Sequence, residues 1–179
     1  MGTRRYIGLL LVAGCGRLGF DGAPDAAEPP GFDAAAPDAA SPCGPGFERI
    51  PGAPHRYLLD RTLRTWALAR DACAARGAGY HVVILVDDAE RAALAAAAAA
   101  AVDSTWWLGA TDEASEGTWI NVDATPTTFL PWAMGEPNDA GGEDCLGLLA
   151  VSGETADRAA FANDESCSDP FPSICACER

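Results

Sequence analysis

Residues 135–145 read Gly-Glu-Pro-Asn-Asp-Ala-Gly-Gly-Glu-Asp-Cys and are the most informative stretch of the chain. Four carboxylates and one carboxamide stand among glycines, with a proline near the start and a cysteine at the end. Calcium and similar hard cations bind several such oxygens on a loop that can bend around them, and glycine permits the bending. Most acidic loops are only solvated surface, so the rest of the chain has to decide between these two interpretations.

Composition limits the kinds of partner that this chain can bind. The formal net charge is -14 over 179 residues, and every one of the 12 basic residues is an arginine. So acidic a balance argues against a nucleic-acid surface, which needs cations to neutralise phosphates. It suits a neutral partner, or a cation that the carboxylates collect. The length fits one domain with extensions.

The first 15 residues predict an export signal. Arg4 and Arg5 precede the apolar run 7–13, which is too short to span a bilayer as a mature helix. Residues 11–15, Leu-Val-Ala-Gly-Cys, resemble the bacterial lipobox, whose cysteine becomes the lipidated first residue. We therefore expect Cys15 to anchor an exported lipoprotein in the outer membrane or at the cell surface. An ordinary signal peptide and secretion are the alternative.

Residues 16–42 are rich in alanine, proline, aspartate and glycine. They hold too little apolar bulk to offset the entropy of ordering, so they predict a flexible linker. A domain over residues 43–179 follows.

Hydrophobic patterns in this domain predict a mixture of helices and strands. We expect a hairpin or edge strand within 47–59, a helix over 65–76, a short strand over 81–86 and an alanine-rich helix over 87–102. After residue 105, short buried strands alternate with long acidic loops, and long loops in a compact domain are usually functional or disordered.

The cysteine count predicts disulfide bonds. If Cys15 is lipidated, six cysteines remain, at positions 43, 73, 145, 167, 175 and 177. An even number in an exported domain suggests three bridges, although the sequence permits fifteen pairings. Zinc binding by Cys175-Ala-Cys177 is the competing hypothesis, but a single Cys-x-Cys is a poor zinc signature.

Several short motifs follow one another in a recognisable order. They are Trp107-Leu108-Gly109 with Ala110–Glu113, Glu116-Gly117-Thr118-Trp119, Trp132, Gly135-Glu136-Pro137-Asn138, Glu143-Asp144-Cys145, Asn163–Cys167, and Ile174-Cys175. This order resembles the C-type lectin domain over about residues 43–179. The resemblance implies an α+β fold in which two helices flank antiparallel sheets, topped by a long calcium-binding loop region.

The resemblance also implies which cysteines pair. It gives the bridges Cys73–Cys175 and Cys145–Cys167. An extra N-terminal cysteine in the longer family form pairs about a dozen residues on, but residues 55–57 are His-Arg-Tyr here. The first and last strands of the family run side by side and antiparallel, so we predict a Cys43–Cys177 bridge instead.

Two calcium sites are implied by position-by-position similarity. The primary ligands, which also contact the sugar, would be Glu136, Asn138, Glu143, Asn163 and Asp164. The accessory ligands would be Asp112, Glu116, Asp139 and Asp144. The order Glu-Pro-Asn is what the family associates with mannose- and glucose-type hydroxyls, and it implies a cis peptide bond before Pro137.

One departure from the family concerns the residue before Asn163. The usual tryptophan is replaced by Ala162, so either Phe161 takes its place or the site is loosened. A turn or loop is expected at 152–157.

The sequence therefore predicts calcium-dependent binding of glycans of the mannose or glucose type. The alternative is a domain of the same fold that holds calcium structurally and binds a protein or another surface. An enzyme is the third possibility, and we do not expect one. Both histidines, His55 and His81, lie outside the acidic loops. Adjacent carboxylates such as Glu143 and Asp144 could serve glycoside hydrolysis, but they fit metal binding better.

Overall fold

The structure is a computed structural model that describes residues 43–152 and 160–178. The export signal, Cys15, the linker and most of the expected turn at 152–157 lie outside these residues. Within them the chain forms two helices, α1 (Trp66–Ala74) and α2 (Asp88–Ala101), and eight strands. The strands are β1 (Glu48–Arg49), β2 (Arg56–Arg64), β3 (Tyr80–Val82), β4 (Ser104–Thr111), β5 (Ile120–Asn121), β6 (Cys145–Ala150), β7 (Ala162–Glu165) and β8 (Phe171–Cys177). Neither helix in this part of the chain is both long and apolar enough to cross a lipid bilayer.

All of the described strands join one mixed sheet. Its order is β1-β2-β8-β4-β6-β7, with β3 paired to β8 and β5 paired to β4. The pairs are antiparallel except for the contact between β4 and β8, where Trp107 faces Ser173 in parallel. The hairpin β1–β2 confirms the strand prediction for 47–59, but the strand beside the C-terminal strand is β2 rather than β1, with Arg56 opposite Cys177.

Both helices begin and end close to the predicted positions. Trp66, Ala69 and Cys73 give α1 its buried face, at the three- and four-residue spacing of a helix. The Asp87 side chain caps α2 by accepting a hydrogen bond from the Glu90 amide at 2.8 Å. Small buried residues such as Ala98 let α2 lie close to the sheet.

Strand β4 is the centre of the core. Trp106 and Leu108 point into the largest cluster of buried side chains, and Trp107 points into a second cluster beside Cys145. At Gly109 the neighbouring chain comes so close that an added Cβ would lie 2.5 Å from the carbonyl oxygen of Val82. Gly109 also donates its amide hydrogen to Val83 at 2.8 Å. This close approach explains the glycine of the Trp-Leu-Gly motif.

The three predicted disulfides are confirmed. Cys43 pairs with Cys177, Cys73 with Cys175, and Cys145 with Cys167. Cys175 and Cys177 are two residues apart on β8, so both lie on the same face of the strand. The first two bridges therefore fasten the N-terminal segment and α1 to one face of the last strand.

Phe161 does not replace the family tryptophan. Ala162 is fully buried in the main core, where Trp119 and Trp132 pack edge to face with ring centroids 5.0 Å apart. Phe161 lies outside that core and is half-buried, with the Arg91 guanidinium 4.3 Å from its ring centroid. Phe161, directly before β7, packs on Arg91 rather than beside Trp119 and Trp132.

A buried polar contact joins β2 to α2. The Tyr57 hydroxyl donates to Glu90 Oε1 at 2.5 Å, and Glu90 Oε2 accepts the Val86 amide at 2.9 Å. Both side chains are at most 1% exposed. Burial and the bond to Glu90 raise the pKa of Tyr57 well above its ordinary value.

We expect Tyr57→Phe to lower the free energy of unfolding by about 1–3 kcal/mol, because it leaves a buried carboxylate oxygen without its donor. Chemical denaturation with and without the substitution measures this. Tyr80→Phe is the matched control, since water reaches the half-buried Tyr80 and can replace a lost hydroxyl contact. Equal losses in the two variants would contradict the prediction.

Candidate metal centre

The loop at 135–144 is held against strand β7 by a buried carboxylate. Asp164 is 1% exposed, and its oxygens accept the backbone amides of Asn138, at 3.0 and 3.2 Å, and of Asp139, at 2.7 Å. Just before the loop, the Ala133 amide donates to the Ala162 carbonyl at 2.8 Å. The structure thus brings together two predicted ligand segments that are about 25 residues apart in the sequence.

The loop side chains Glu136, Asn138 and Glu143 lie near one another. Asn138 Nδ2 donates to Glu136 Oε2, and the peptide bond between Glu136 and Pro137 is cis, as predicted. Glu143 Oε2 accepts the Ala140 amide at 3.0 Å, and its own amide donates to Asp139 Oδ1 at 3.0 Å. Three of the predicted primary ligands are therefore on one compact turn.

Asn163 supplies an oxygen without a hydrogen-bond partner. Its Nδ2 donates to Glu165 Oε1 at 2.9 Å, whereas its Oδ1 is buried and accepts no hydrogen bond within residues 43–152 and 160–178. Buried polar atoms are nearly always paired, and leaving one unpaired costs about 1–3 kcal/mol. An oxygen of this kind suits coordination to a cation.

A second group of carboxylates is formed by the loop after β4 together with the last residue of the 135–144 loop. Asp112, Glu116 and Asp144 each offer an oxygen, and these oxygens lie within 4.8 Å of one another. Ligands of one calcium ion are about 2.3–2.6 Å from it, so the three could share an ion. Asp112 Oδ1 is also buried without a partner among the described residues, while its Oδ2 accepts the Gly117 amide at 2.8 Å.

Asp139, the fourth predicted accessory ligand, is not part of that close group. Its carboxylate accepts the Glu143 amide, and its charge acts on Glu116 from a distance. The structure therefore gathers three of the four accessory residues and leaves the fourth, Asp139, in the turn of the 135–144 loop.

Three carboxyls of these groups, those of Asp112, Glu116 and Glu143, have a pKa above the ordinary value. Burial raises the pKa of Asp112, and the charges of Asp144 and Asp164 add to it against an opposing bond from Gly117. Loss of hydration and the charges of Asp112, Asp139 and Asp144 raise the pKa of Glu116. Burial, then the charges of Asp164, Glu165 and Glu136, raise the pKa of Glu143. A bound cation would relieve this repulsion.

Two residues at this site were not predicted from the sequence. Glu165 accepts the Asn163 side chain, and it also contacts the Thr105 hydroxyl at 3.3 Å. The period-two pattern of strand β7 could have indicated that Glu165 shares a face with Asn163. Nothing local to Thr105 indicates that it lies two strands away on that same face.

Comparison with known proteins identifies the family. The family model described as the Lectin C-type domain matches residues 62–177, well over half of the chain. The chain belongs to the C-type lectin domain family. This membership confirms the predicted fold and the predicted lectin family. The family is one of lectins and not of enzymes, so membership also supports the expectation that this domain is not an enzyme.

Individual C-type lectins resemble this domain at moderate identity. The C-type lectin lectoxin-Enh5 of Pseudoferania polylepis is 32% identical over 127 residues, covering 69% of this chain and 76% of the lectoxin. A C-type lectin mannose-binding isoform from Oxyuranus scutellatus is 34% identical over 76 residues, which are 42% of this chain and only 45% of that relative. The carbohydrate-recognition domain of cow CD23, solved in the presence of a GlcNAc2Man3 oligosaccharide, is 26% identical with a TM-score of 0.61. That comparison covers 75% of this chain and 94% of the CD23 chain.

We expect the metal-free C-type lectin domain to become more stable as the pH falls from 7 to about 5. Carboxyls whose pKa is raised by folding hold protons that the unfolded chain releases, down to the ordinary carboxyl pKa of about 4. Below that, protonation removes stability, because hydrogen bonds from Ser152 and Thr125 lower the pKa of Asp103 and Asp123.

Thermal melts in a chelating buffer at several pH values measure this dependence. Asp112→Asn should flatten the rise, because it removes a buried charge that is repelled by its neighbours. Glu113→Gln, at an exposed position beside it, should keep the rise. A metal-free domain that loses stability between pH 7 and 5 would contradict the expectation.

Proposed function

We propose that this C-type lectin domain binds sugars of the mannose or glucose type through a calcium ion. The observation that carries the proposal is the pair of contacts from Asp164 to the amides of Asn138 and Asp139. They hold the two predicted ligand segments together, and a ring of oxygens around one ion needs both.

The primary calcium ligands in this proposal are Glu136, Asn138, Glu143, Asn163 and Asp164. Their carboxylate and amide oxygens form the ligand set that calcium prefers. The unpaired Asn163 Oδ1 supports the fit, because coordination would satisfy a buried oxygen that lacks a hydrogen bond.

An accessory calcium ion in this proposal is held by Asp112, Glu116 and Asp144, while Asp139, outside this close group, acts on Glu116 only through its charge. Two observations support it: the oxygens of the three carboxylates lie within 4.8 Å of one another, and Asp112 Oδ1 is buried with no partner in the described part of the chain. An ion here would link the loop after β4 to the segment before β6, and so stabilise the primary site beside it.

Sugar recognition in this proposal uses two neighbouring hydroxyls that complete the coordination of the primary calcium. Glu136 accepts a hydrogen bond from one hydroxyl, and the Asn138 side-chain amide donates a hydrogen bond to the other. These two side chains already contact each other, so they are close enough to serve two adjacent hydroxyls of one sugar ring.

The location in the cell is also part of the proposal. Export with lipidation at Cys15 would place the domain on the outer membrane or cell surface, at the end of the linker 16–42. The three disulfides support an oxidising compartment.

We expect the protein to be retained on mannose resin in calcium and released by a chelator. Glu143→Gln should weaken calcium binding by at least about tenfold, or about 1.4 kcal/mol, because it removes one charged ligand. The amide oxygen of glutamine can still accept the Ala140 amide, so the turn is expected to persist. Calorimetric titration with calcium measures the change.

Glu48→Gln is the matched control, because it removes the same charge from the exposed strand β1. It should leave both retention and calcium affinity unchanged. Calcium binding without retention on mannose resin or a glycan array would instead favour a structural calcium and a protein or surface partner.

We expect the double substitution Glu136→Gln with Asn138→Asp to shift preference from mannose toward galactose. The swap keeps one carboxylate and one carboxamide, so calcium affinity should change little, while the donor and acceptor exchange places around the hydroxyls. Competition by free mannose and free galactose for the resin measures preference. An unchanged ratio would argue that these two side chains do not read the sugar.

A further inference from the structure

Three polar side chains form a line across the sheet that ends at the predicted ligand Asn163. Glu165 on β7 accepts Asn163 Nδ2 at 2.9 Å through Oε1, and the same oxygen lies 3.3 Å from the Thr105 hydroxyl on β4. Strand β6 lies between β4 and β7. The line therefore spans three strands, and its outer end is the predicted ligand Asn163.

Gly147 on β6 has no side chain, and this leaves room for the side chains of Thr105 and Glu165 to meet. It stands opposite Trp107 on one side and Asn163 on the other. An added Cβ would lie 2.5 Å from Thr105 Cγ2 and 3.1 Å from Glu165 Cγ. Real Cβ atoms essentially never come as close as the first distance, so a larger residue would push Thr105 or Glu165 out of position.

The contact to Glu165 fixes how the Asn163 amide is turned. The terminal torsion of asparagine is broad and roughly two-fold, so an unrestrained amide can rotate until its oxygen and nitrogen have swapped positions. Only the nitrogen can donate to a carboxylate. Binding Nδ2 to Glu165 therefore directs Oδ1 to the opposite side, where it is buried and unpaired.

We propose that Glu165, supported by Thr105 across Gly147, is a positioning residue that presents Asn163 Oδ1 to the calcium ion. It does not coordinate the ion. This inference rests on the proposed function, because it assigns a supporting residue to the same site.

Calcium titration of Glu165→Ala and Glu165→Gln tests the role. The alanine variant should bind the primary calcium about 10- to 100-fold more weakly, the usual loss when a residue that orients a metal ligand is removed. Glutamine can accept from Asn163 through its own Oε1, so this conservative variant should stay within about threefold of the unaltered protein. The affinity of the Asp112 group should be the same in all three proteins, which a general loss of structure would not allow.

A second readout needs no calcium. In the metal-free protein, the side-chain amide hydrogens of Asn163 should show one slowly exchanging signal in nuclear magnetic resonance spectra. That signal should persist in Glu165→Gln and disappear in Glu165→Ala. Thr105→Val keeps the shape of the side chain and removes the hydroxyl, so it should weaken calcium binding in the same direction by a smaller factor. In the Glu165→Ala background it should have no further effect.

The outcomes separate this inference from the proposed function. Calcium affinity of the primary site unchanged in Glu165→Ala, or an unchanged Asn163 amide signal, would overturn the positioning role and leave the function intact. Should the alanine variant fail to fold, an unchanged affinity in Thr105→Val would overturn the role. Calcium binding with the expected losses but no sugar binding would overturn the sugar proposal alone. No calcium binding by the unaltered protein would overturn both.

Discussion

The buried carboxylate of Asp164 holds this site together. It accepts hydrogen bonds from the backbone amides of Asn138 and Asp139, which lie on a loop outside the sheet. The backbone of Asp164 is held in β7, where it lies opposite Leu146 of β6 in the antiparallel pair. The Cys145–Cys167 bridge adds to this, because it ties the end of the loop to the residues that follow β7. A covalent bond, a strand pairing and a buried charge thus act on the same two segments.

This arrangement concentrates negative charge at the end of the most buried strand. Strand β4, with Trp106 and Trp107 buried on its two faces, ends next to Asp112. Folding brings this carboxylate toward those of Asp144 and Asp164, which raises its pKa together with burial. The free energy of bringing like charges together has to be offset by packing elsewhere or by a cation. In the calcium-dependent sugar binding proposed for this domain, the ion would offset this repulsion and also bind the sugar.

Local pattern was enough for several features and insufficient for others. Helix α2 follows from its alanines and the capping Asp87, and the disulfide pairs follow from the family resemblance, whose motifs keep their order. The packing of Phe161 could not be predicted, because a single alanine in place of a tryptophan does not reveal whether its neighbour packs in the core or on Arg91. The pairing of β8 with β2 rather than β1 depends on where the hairpin turns, which the prolines near residue 51 only approximate.

The sequence by itself determined the chemistry of the loop and the identity of the family. Oxygen-bearing side chains between glycines and a cysteine are a property of the chain, whatever its fold, and the ordered motifs were enough to predict the family whose model matches residues 62–177. Only the tertiary structure decided which oxygens meet. Asp139 is adjacent to Asn138 but lies apart from the Asp112 group, and Thr105 reaches Glu165 from 60 residues away. Contacts between distant strands depend on which strands pair and on the absence of a side chain at Gly147. Neither can be predicted from the residues adjacent to Thr105 or Glu165.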